Sequence, residues 1–156
     1  MTTLYLDVCC LNRPFDDQRQ ARIRLEADAV ILILEQVQPR GWKWMSSEAV
    51  DMEVERILDL VKRQRIQLIL NDRTEWIAIG LSEGERAGEL VTLGFSNFDA
   101  LHVACAEHGR VDIFLTTDDR LVKLGKRHEG RLKLRIENIL KWFEEVSRDE
   151  YSYNDT

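Results

Sequence analysis

We predict that the stretch SNFDALHVAC, residues 96–105, lies at the centre of the domain. After Asp99 nearly every residue is apolar or small, and such a segment is typical of a helix buried on most sides. A single carboxylate, Asp99, lies in the first turn of this predicted helix. Asp99 could complete a capping box with Ser96, or it could point into a functional site, and these two roles are compatible.

The size, composition and charge of the chain favour a single globular domain over a membrane-spanning protein or a broadly basic nucleic-acid-binding protein. Its 156 residues suffice for one hydrophobic core, and its 44% hydrophobic and 32% charged residues are typical of a globular domain. The net charge of −6 argues against broad electrostatic capture of nucleic acid, although it allows a local basic rim. The longest apolar run, residues 29–34, is too short to cross a bilayer.

The N-terminus and the cysteines both favour a cytoplasmic protein. MTTLYLDVCC lacks the basic start and the apolar centre of a signal peptide. Three cysteines form neither a disulfide framework nor a zinc pattern, and we interpret them as small buried side chains in a reducing compartment.

Strand and helix signals alternate along the chain. Apolar runs predict strands at 4–6, 42–46, 76–79, 111–115 and 132–136. Helical spacing predicts helices at 18–38, 47–60, 82–93, 96–107, 120–126 and 137–146. A basic hinge is expected at 62–65, and the apolar segment at 66–70 could be either a strand or a helix. We expect a three-layer α/β/α domain over residues 1–147, around a mainly parallel sheet of four to five strands, and a flexible tail from 148 to 156.

Acidic residues follow the predicted strands at the edge of the sheet where parallel strands end. Asp7 ends the first strand, and Asp118 follows the strand at 111–115. Open α/β sheets carry their sites at this edge, although Asp7 alone could be a turn residue. Glu53 lies at the margin of the apolar stripe of the helix after the second strand, so it is a candidate fourth acid beside Asp99.

Carboxylates that converge require a compensating charge. Two of them about 4 Å apart repel by about 4 kcal/mol at an effective dielectric near 20, so a cluster holds either protons or a cation. Oxygen ligands without His or Cys suit Mg²⁺ or Mn²⁺. Such an ion could activate water and neutralise a phosphoryl group, which favours phosphodiester hydrolysis.

Four segments resemble, in order, the motifs of the PIN-domain ribonucleases found among bacterial VapC-type toxins. LYLDVCCLNRP (4–14) resembles the first motif, and SSEAVDMEVE (46–55) resembles the second, in which a serine is followed six residues later by glutamate. NFDALHVACAE (97–107) resembles the third motif and FLTTDDRLVK (114–123) the fourth. DALHxAxA together with TxD is the most specific pair of the four.

The resemblance implies a PIN-like fold and a Mg²⁺- or Mn²⁺-dependent endoribonuclease that hydrolyses RNA phosphodiester bonds. The metal-binding acids would be Asp7, Glu53, Asp99 and Asp118. Asn12 and Thr116 would orient these ligands, and Asp119 would cap a helix or add a ligand. Similarity also implies a homodimer and a cognate antitoxin that blocks the acidic site, and hence the toxin of a type II toxin–antitoxin pair.

Three cations and one histidine flank the proposed acids. Arg13, Arg120 and Lys123 could contact RNA phosphates, or they could form surface ion pairs. We expect His102, one helical turn after Asp99, to be packed or hydrogen-bonded rather than to carry a proton in catalysis.

Two other classes of protein could show the same acids. A catalytically silent PIN-like module would bind RNA or a protein without binding metal. A phosphoaspartate receiver domain also clusters acids at strand ends, but it requires a lysine after its last strand, where this chain has Glu137 and Asn138.

Overall fold

Five parallel strands form the centre of the domain. This computed structural model describes the secondary structure of residues 1–154 and the side chains of residues 1–149. The strands are β1 (Thr3–Leu6), β2 (Lys43–Ser47), β3 (Glu75–Ile77), β4 (Ile113–Thr116) and β5 (Arg135–Asn138). They lie in the order β3-β2-β1-β4-β5, and all four neighbouring pairs are parallel. The predicted fold class is therefore confirmed.

Helices flank the sheet. They are α1 (Val8–Asn12), α2 (Ala21–Gln36), α3 (Glu48–Glu55), α4 (Leu60–Leu70), α5 (Leu81–Thr92), α6 (Asn97–His108), α7 (Asp119–Arg127) and α8 (Ile139–Asn154). Two 3₁₀ turns, Arg13–Phe15 and Glu129–Arg131, follow α1 and α7. No helix in the described part of the chain is long and apolar enough to cross a membrane.

The central strand β1 is apolar because it is buried on both faces. Leu4 pairs with Trp44 of β2 on one side and with Ile113 of β4 on the other. The ring of Tyr5 stacks on Phe114, with 5.0 Å between the ring centroids. A strand buried on both faces has no polar alternation, which is why its sequence is a short continuous apolar run.

Helix α6 is the buried helix expected from residues 96–105. All residues from His102 to Glu107 are buried, and the helix packs on α5, α3 and β2. The Ser96 hydroxyl accepts a hydrogen bond from the backbone N–H of Asp99 at 3.2 Å, so the Ser96 half of the expected capping box is present.

The helix predicted at 47–60 is wrong in its second half. Helix α3 ends at Glu55, and α4 begins at Leu60, so the predicted basic hinge at 62–65 and the undecided segment 66–70 belong to one helix. The physical reason is Asp59, whose side chain caps α4 by accepting a hydrogen bond from the backbone N–H of Lys62 at 3.1 Å.

Two further element boundaries differ from the sequence prediction. Helix α5 begins at Leu81 rather than at residue 82, because its N-terminus is capped at Gly80, where the Glu83 carboxylate accepts a hydrogen bond from the Gly80 N–H at 2.9 Å. The last strand, predicted at 132–136, begins only at Arg135, because the chain first makes the 3₁₀ turn Glu129–Arg131.

The final helix is longer than predicted. The Asn138 side chain accepts hydrogen bonds from the N–H groups of Leu140 and Lys141, so α8 begins at Ile139 instead of residue 137. It continues to Asn154, beyond the predicted end at 146, and thus includes most of the expected tail. The flexibility of residues 148–156 stays a prediction, and Asp155 and Thr156 lie outside the described residues.

Candidate active site

Asp7 lies directly after the central strand β1, at the edge of the sheet where the parallel strands end. We call this edge, with Asp7 and the neighbouring acids Glu53, Asp99 and Asp118, the acidic edge. It is 6% exposed, and its Oδ1 accepts a hydrogen bond from the Val8 N–H at 2.9 Å. Burial, followed by the neighbouring Glu53 carboxylate, raises the pKa of Asp7 above its usual value, although His102 and Thr116 act in the opposite direction. A buried carboxylate next to a second acid is the local charge pattern that a cation stabilises.

The Thr116 hydroxyl links Asp7 to Asp118. Its Oγ1 donates to Asp7 Oδ2 at 2.9 Å and accepts from the backbone N–H of Asp118 at 3.1 Å. The Cys9 thiol also lies 3.4 Å from Asp7 Oδ2. Thr116 therefore fixes the Asp7 carboxylate, at the position that the sequence analysis gives to a ligand-orienting residue.

A second series of hydrogen bonds connects Ser47, at the end of β2, to Glu53. Tyr5 Oη, itself fully buried, lies 2.7 Å from both Ser47 Oγ and His102 Nδ1. On the other side of the imidazole, His102 Nε2 lies 3.4 Å from Glu53 Oε1. His102 is thus hydrogen-bonded, as expected, and its ring orientation is fixed from both sides.

Asp7, Glu53 and His102 together could hold a metal ion. One ligand atom from each of these residues lies within 4.8 Å of the others. Burial lowers the pKa of His102, but the hydrogen bond to Glu53 and the charge of Asp7 outweigh it, and the pKa is raised. Glu48, at the start of the same helix as Glu53, is engaged elsewhere, since its carboxylate accepts a hydrogen bond from the Ile79 N–H at 3.0 Å.

The donor set fits a divalent cation. Two carboxylates suit Mg²⁺ or Mn²⁺, whereas an imidazole nitrogen is a ligand more typical of transition metals. Mn²⁺ therefore fits Asp7, Glu53 and His102 better than Mg²⁺ does. His102 is not among the ligands predicted from the sequence, although its position three residues after Asp99 puts both side chains on neighbouring parts of α6.

Asp99 and Asp118 lie outside this group of three but close to it. Burial raises the pKa of Asp99, and the charges of Asp7 and Asp118 raise it further. The Asp118 carboxylate is exposed and caps α7, accepting from the N–H groups of Arg120 and Leu121 at 3.0 and 3.3 Å. The structure thus brings the expected acids into one electrostatic neighbourhood, with Asp118 partly engaged in a helix cap.

Asn12 and Asp119 differ in their surroundings. The Oδ1 atom of Asn12 is buried without a hydrogen-bond partner in the described part of the chain. Asp119 is exposed and forms a bidentate pair with Arg22, at 2.7 and 2.8 Å. The helix cap that we expected of Asp119 belongs to Asp118, and the other expected role of Asp119, near the metal ligands, stays a prediction.

The three cations expected near RNA also divide into two kinds. Arg13 is engaged in ion pairs with Glu26 and Asp16, at 3.0 and 2.9 Å. Arg120 and Lys123 are exposed on α7. Of the two interpretations made from sequence, the ion pair therefore applies to Arg13.

Comparisons with known proteins concern the fold and the family of the chain. The same fold occurs in a chain of the crystal structure of VapBC2 from Rickettsia felis, with a TM-score of 0.59 and 18% identity. That complex is bound to a DNA fragment from its promoter. The alignment covers 88% of this chain and 98% of that chain. No curated protein shows significant similarity. The sequence matches the PIN domain over residues 4–127, which is most of its length, and the chain therefore belongs to the PIN domain family.

Proposed function

We propose that this protein is a metal-dependent endoribonuclease that hydrolyses the phosphodiester bonds of RNA with Mg²⁺ or Mn²⁺. The observation that carries the proposal is the convergence of Asp7, Glu53 and His102 within 4.8 Å, at the carboxyl edge of a parallel sheet. PIN domains are generally nucleases, which agrees with hydrolysis of a nucleic acid. A bound ion would supply an activated water and would neutralise the charge of the phosphate.

The residues of the chain would prepare this site before substrate arrives. Thr116 holds the Asp7 carboxylate through its 2.9 Å hydrogen bond, and Tyr5 holds the His102 ring at 2.7 Å. Fixed orientation of ligands is worth 10–100-fold in metal affinity in typical metal sites. Asp99 and Asp118 would add negative charge and further oxygen ligands.

We also propose that the protein is the toxin of a type II toxin–antitoxin pair and acts in the cytoplasm as a homodimer. The support is the likeness in fold to a chain of VapBC2, whose crystal structure holds a promoter DNA fragment. A cognate antitoxin would then block the edge that carries Asp7. Purification of the protein with the product of a neighbouring reading frame would test this pairing.

An RNA cleavage assay tests the nuclease. The purified protein, free of any partner, is incubated with labelled single-stranded RNA and Mn²⁺ or Mg²⁺. We expect cleavage that EDTA abolishes and that Asp7→Asn reduces by at least about 100-fold, the order of loss for one electrostatic group of an active site. The control is Glu55→Gln, which removes an exposed carboxylate two residues from Glu53 and should cut like the parent.

Three outcomes are informative. Cleavage by the parent and by Glu55→Gln, but not by Asp7→Asn, supports the mechanism. RNA binding without cleavage favours the catalytically silent module. Equal cleavage by the parent and by Asp7→Asn contradicts the role given to the acidic edge.

A further inference from the structure

A cluster of unpaired cations lies next to the acidic edge. The chain has a net charge of −6, yet residues 120–133 contain six Lys or Arg and a single Glu. Most cationic side chains in residues 1–149 form an ion pair, a hydrogen bond or a ring contact. Those without such a contact in that range are Arg65, Arg110, Arg120, Lys123, Arg127, Arg131 and Lys133. Of these, Lys123 interacts electrostatically with the Asp119 carboxylate, which Arg22 already holds.

Three of these cations lie on one face of α7. Arg120, Lys123 and Arg127 are all exposed. At about 100° per residue they fall within about 60° of one another around the helix axis. They form a strip about 10 Å long, since seven residues rise by about 1.5 Å each. Lys126 lies off this strip and is occupied, because its Nζ is 3.9 Å from Glu137.

The strip begins at the candidate active site. Asp118 caps α7, and the backbone N–H of Arg120 donates to its carboxylate at 3.0 Å. Asp118 is in turn linked to Thr116, which holds Asp7. The direction of the strip is therefore fixed relative to the acids by short backbone and side-chain hydrogen bonds.

We propose that the exposed face of α7, formed by Arg120, Lys123 and Arg127, binds the phosphates of single-stranded RNA next to the cleaved bond. This inference rests on the proposed function. An acidic site repels the phosphates that it must approach, so a nuclease with a net negative charge requires local cations to hold the strand. Contacts of this kind position the backbone and carry no base preference.

A comparison of two double variants tests the strip. Arg120→Gln with Arg127→Gln removes two unpaired, exposed guanidinium groups from it. The matched control is Arg65→Gln with Arg110→Gln, which removes two unpaired, exposed guanidinium groups elsewhere, on α4 and before β4. Binding of short fluorescein-labelled RNA is measured by anisotropy in EDTA, which prevents cleavage, over about 50 to 200 mM salt.

The expected effect follows from counterion release. Each lost contact should lower the slope of log Kd against log salt by about 0.7, so the strip variant should lose about 1.4. At about 0.1 M salt this corresponds to roughly 25-fold weaker binding. Adding Lys123→Gln should lower the slope by about another 0.7. The control should keep the affinity and slope of the parent, and both variants should keep its urea midpoint.

The two possible failures are distinguishable. If the parent binds and cleaves RNA but the strip variant matches the control in slope and affinity, this proposal is overturned. The strip would then be free for an acidic protein partner. If the parent neither binds nor cleaves RNA, the proposed function fails, and the strip proposal fails with it.

Discussion

Replacing Tyr5 by phenylalanine tests the hydrogen-bonded chain behind the site. The Tyr5 hydroxyl is fully buried and lies 2.7 Å from both Ser47 Oγ and His102 Nδ1. Phenylalanine keeps the ring and its stacking on Phe114 but removes both hydrogen bonds. Ser47 retains a partner, since its hydroxyl also accepts from the Val50 N–H at 3.4 Å, whereas His102 Nδ1 loses the only partner that the described residues give it.

The expected loss of stability is large for the removal of one atom. A typical hydrogen bond contributes about 1 kcal/mol net, and a buried polar atom left without a partner costs about 1–3 kcal/mol. Tyr5→Phe should therefore lower the free energy of unfolding by about 3 kcal/mol. For a domain of this size that corresponds to a fall in Tm of roughly 6–12 °C.

Urea unfolding of Tyr5→Phe and a matched hydroxyl deletion provides the assay. Ser46 is the control, because its hydroxyl is buried, next to Ser47, and has no hydrogen-bond partner in the part of the chain that the structure describes. Ser46→Ala should change the free energy of unfolding by less than about 0.5 kcal/mol or raise it. A Tyr5→Phe protein as stable as Ser46→Ala would refute the reasoning.

Three further predictions concern packing and charge. Gly125→Ala should destabilise by about 1–3 kcal/mol in thermal unfolding, because its Cβ would lie 2.9 Å from Ile136 Cβ, whereas Gly88→Ala, in open space on α5, should stabilise by about 0.5–1 kcal/mol. Burial raises the pKa of Glu137, but a backbone N–H and nearby cations outweigh it and lower the pKa. The ionised Glu137 carboxylate therefore stabilises the fold fully above the pKa that it has in the unfolded chain, and this stabilisation is lost as the pH falls through its pKa in the folded protein. Because Glu137→Gln lacks this contribution, its urea midpoint should fall less in acid than that of the parent. Burial and neighbouring carboxylates raise the pKa of Asp99, so ionisation of Asp99 lowers the free energy of unfolding as the pH rises. Asp99→Asn should therefore raise the urea midpoint at pH 7 in EDTA, and an unchanged midpoint would contradict this.

The fold could be predicted because its signals are local and redundant. The apolar run of β1 and the nearly unbroken apolar surface of α6 each require burial on several sides, and alternating strands and helices leave few arrangements other than a parallel sheet. Asp7 and Asp118 could be placed at one edge because each follows a parallel strand and the ends of such strands coincide, whereas Asp99, in the first turn of α6, follows no strand.

The missed features depend on single side chains whose partners are distant in sequence. The break between α3 and α4 depends on the Asp59 cap, which a continuous apolar stripe concealed. The contribution of His102 depends on Tyr5, 97 residues earlier, which fixes its ring. The pairing of Asp119 with Arg22 spans another 97 residues. Periodicity carries no information about which of several polar side chains will meet.

The most direct test of the account is a Mn²⁺ titration of the partner-free protein by calorimetry. The parent and Glu55→Gln should show saturable Mn²⁺ binding, and Asp7→Asn should lose it, because Asp7 is the buried carboxylate of the proposed centre that it forms with Glu53 and His102. No saturable binding by the parent, or equal binding by Asp7→Asn, would contradict the claim that this acidic edge holds a metal ion.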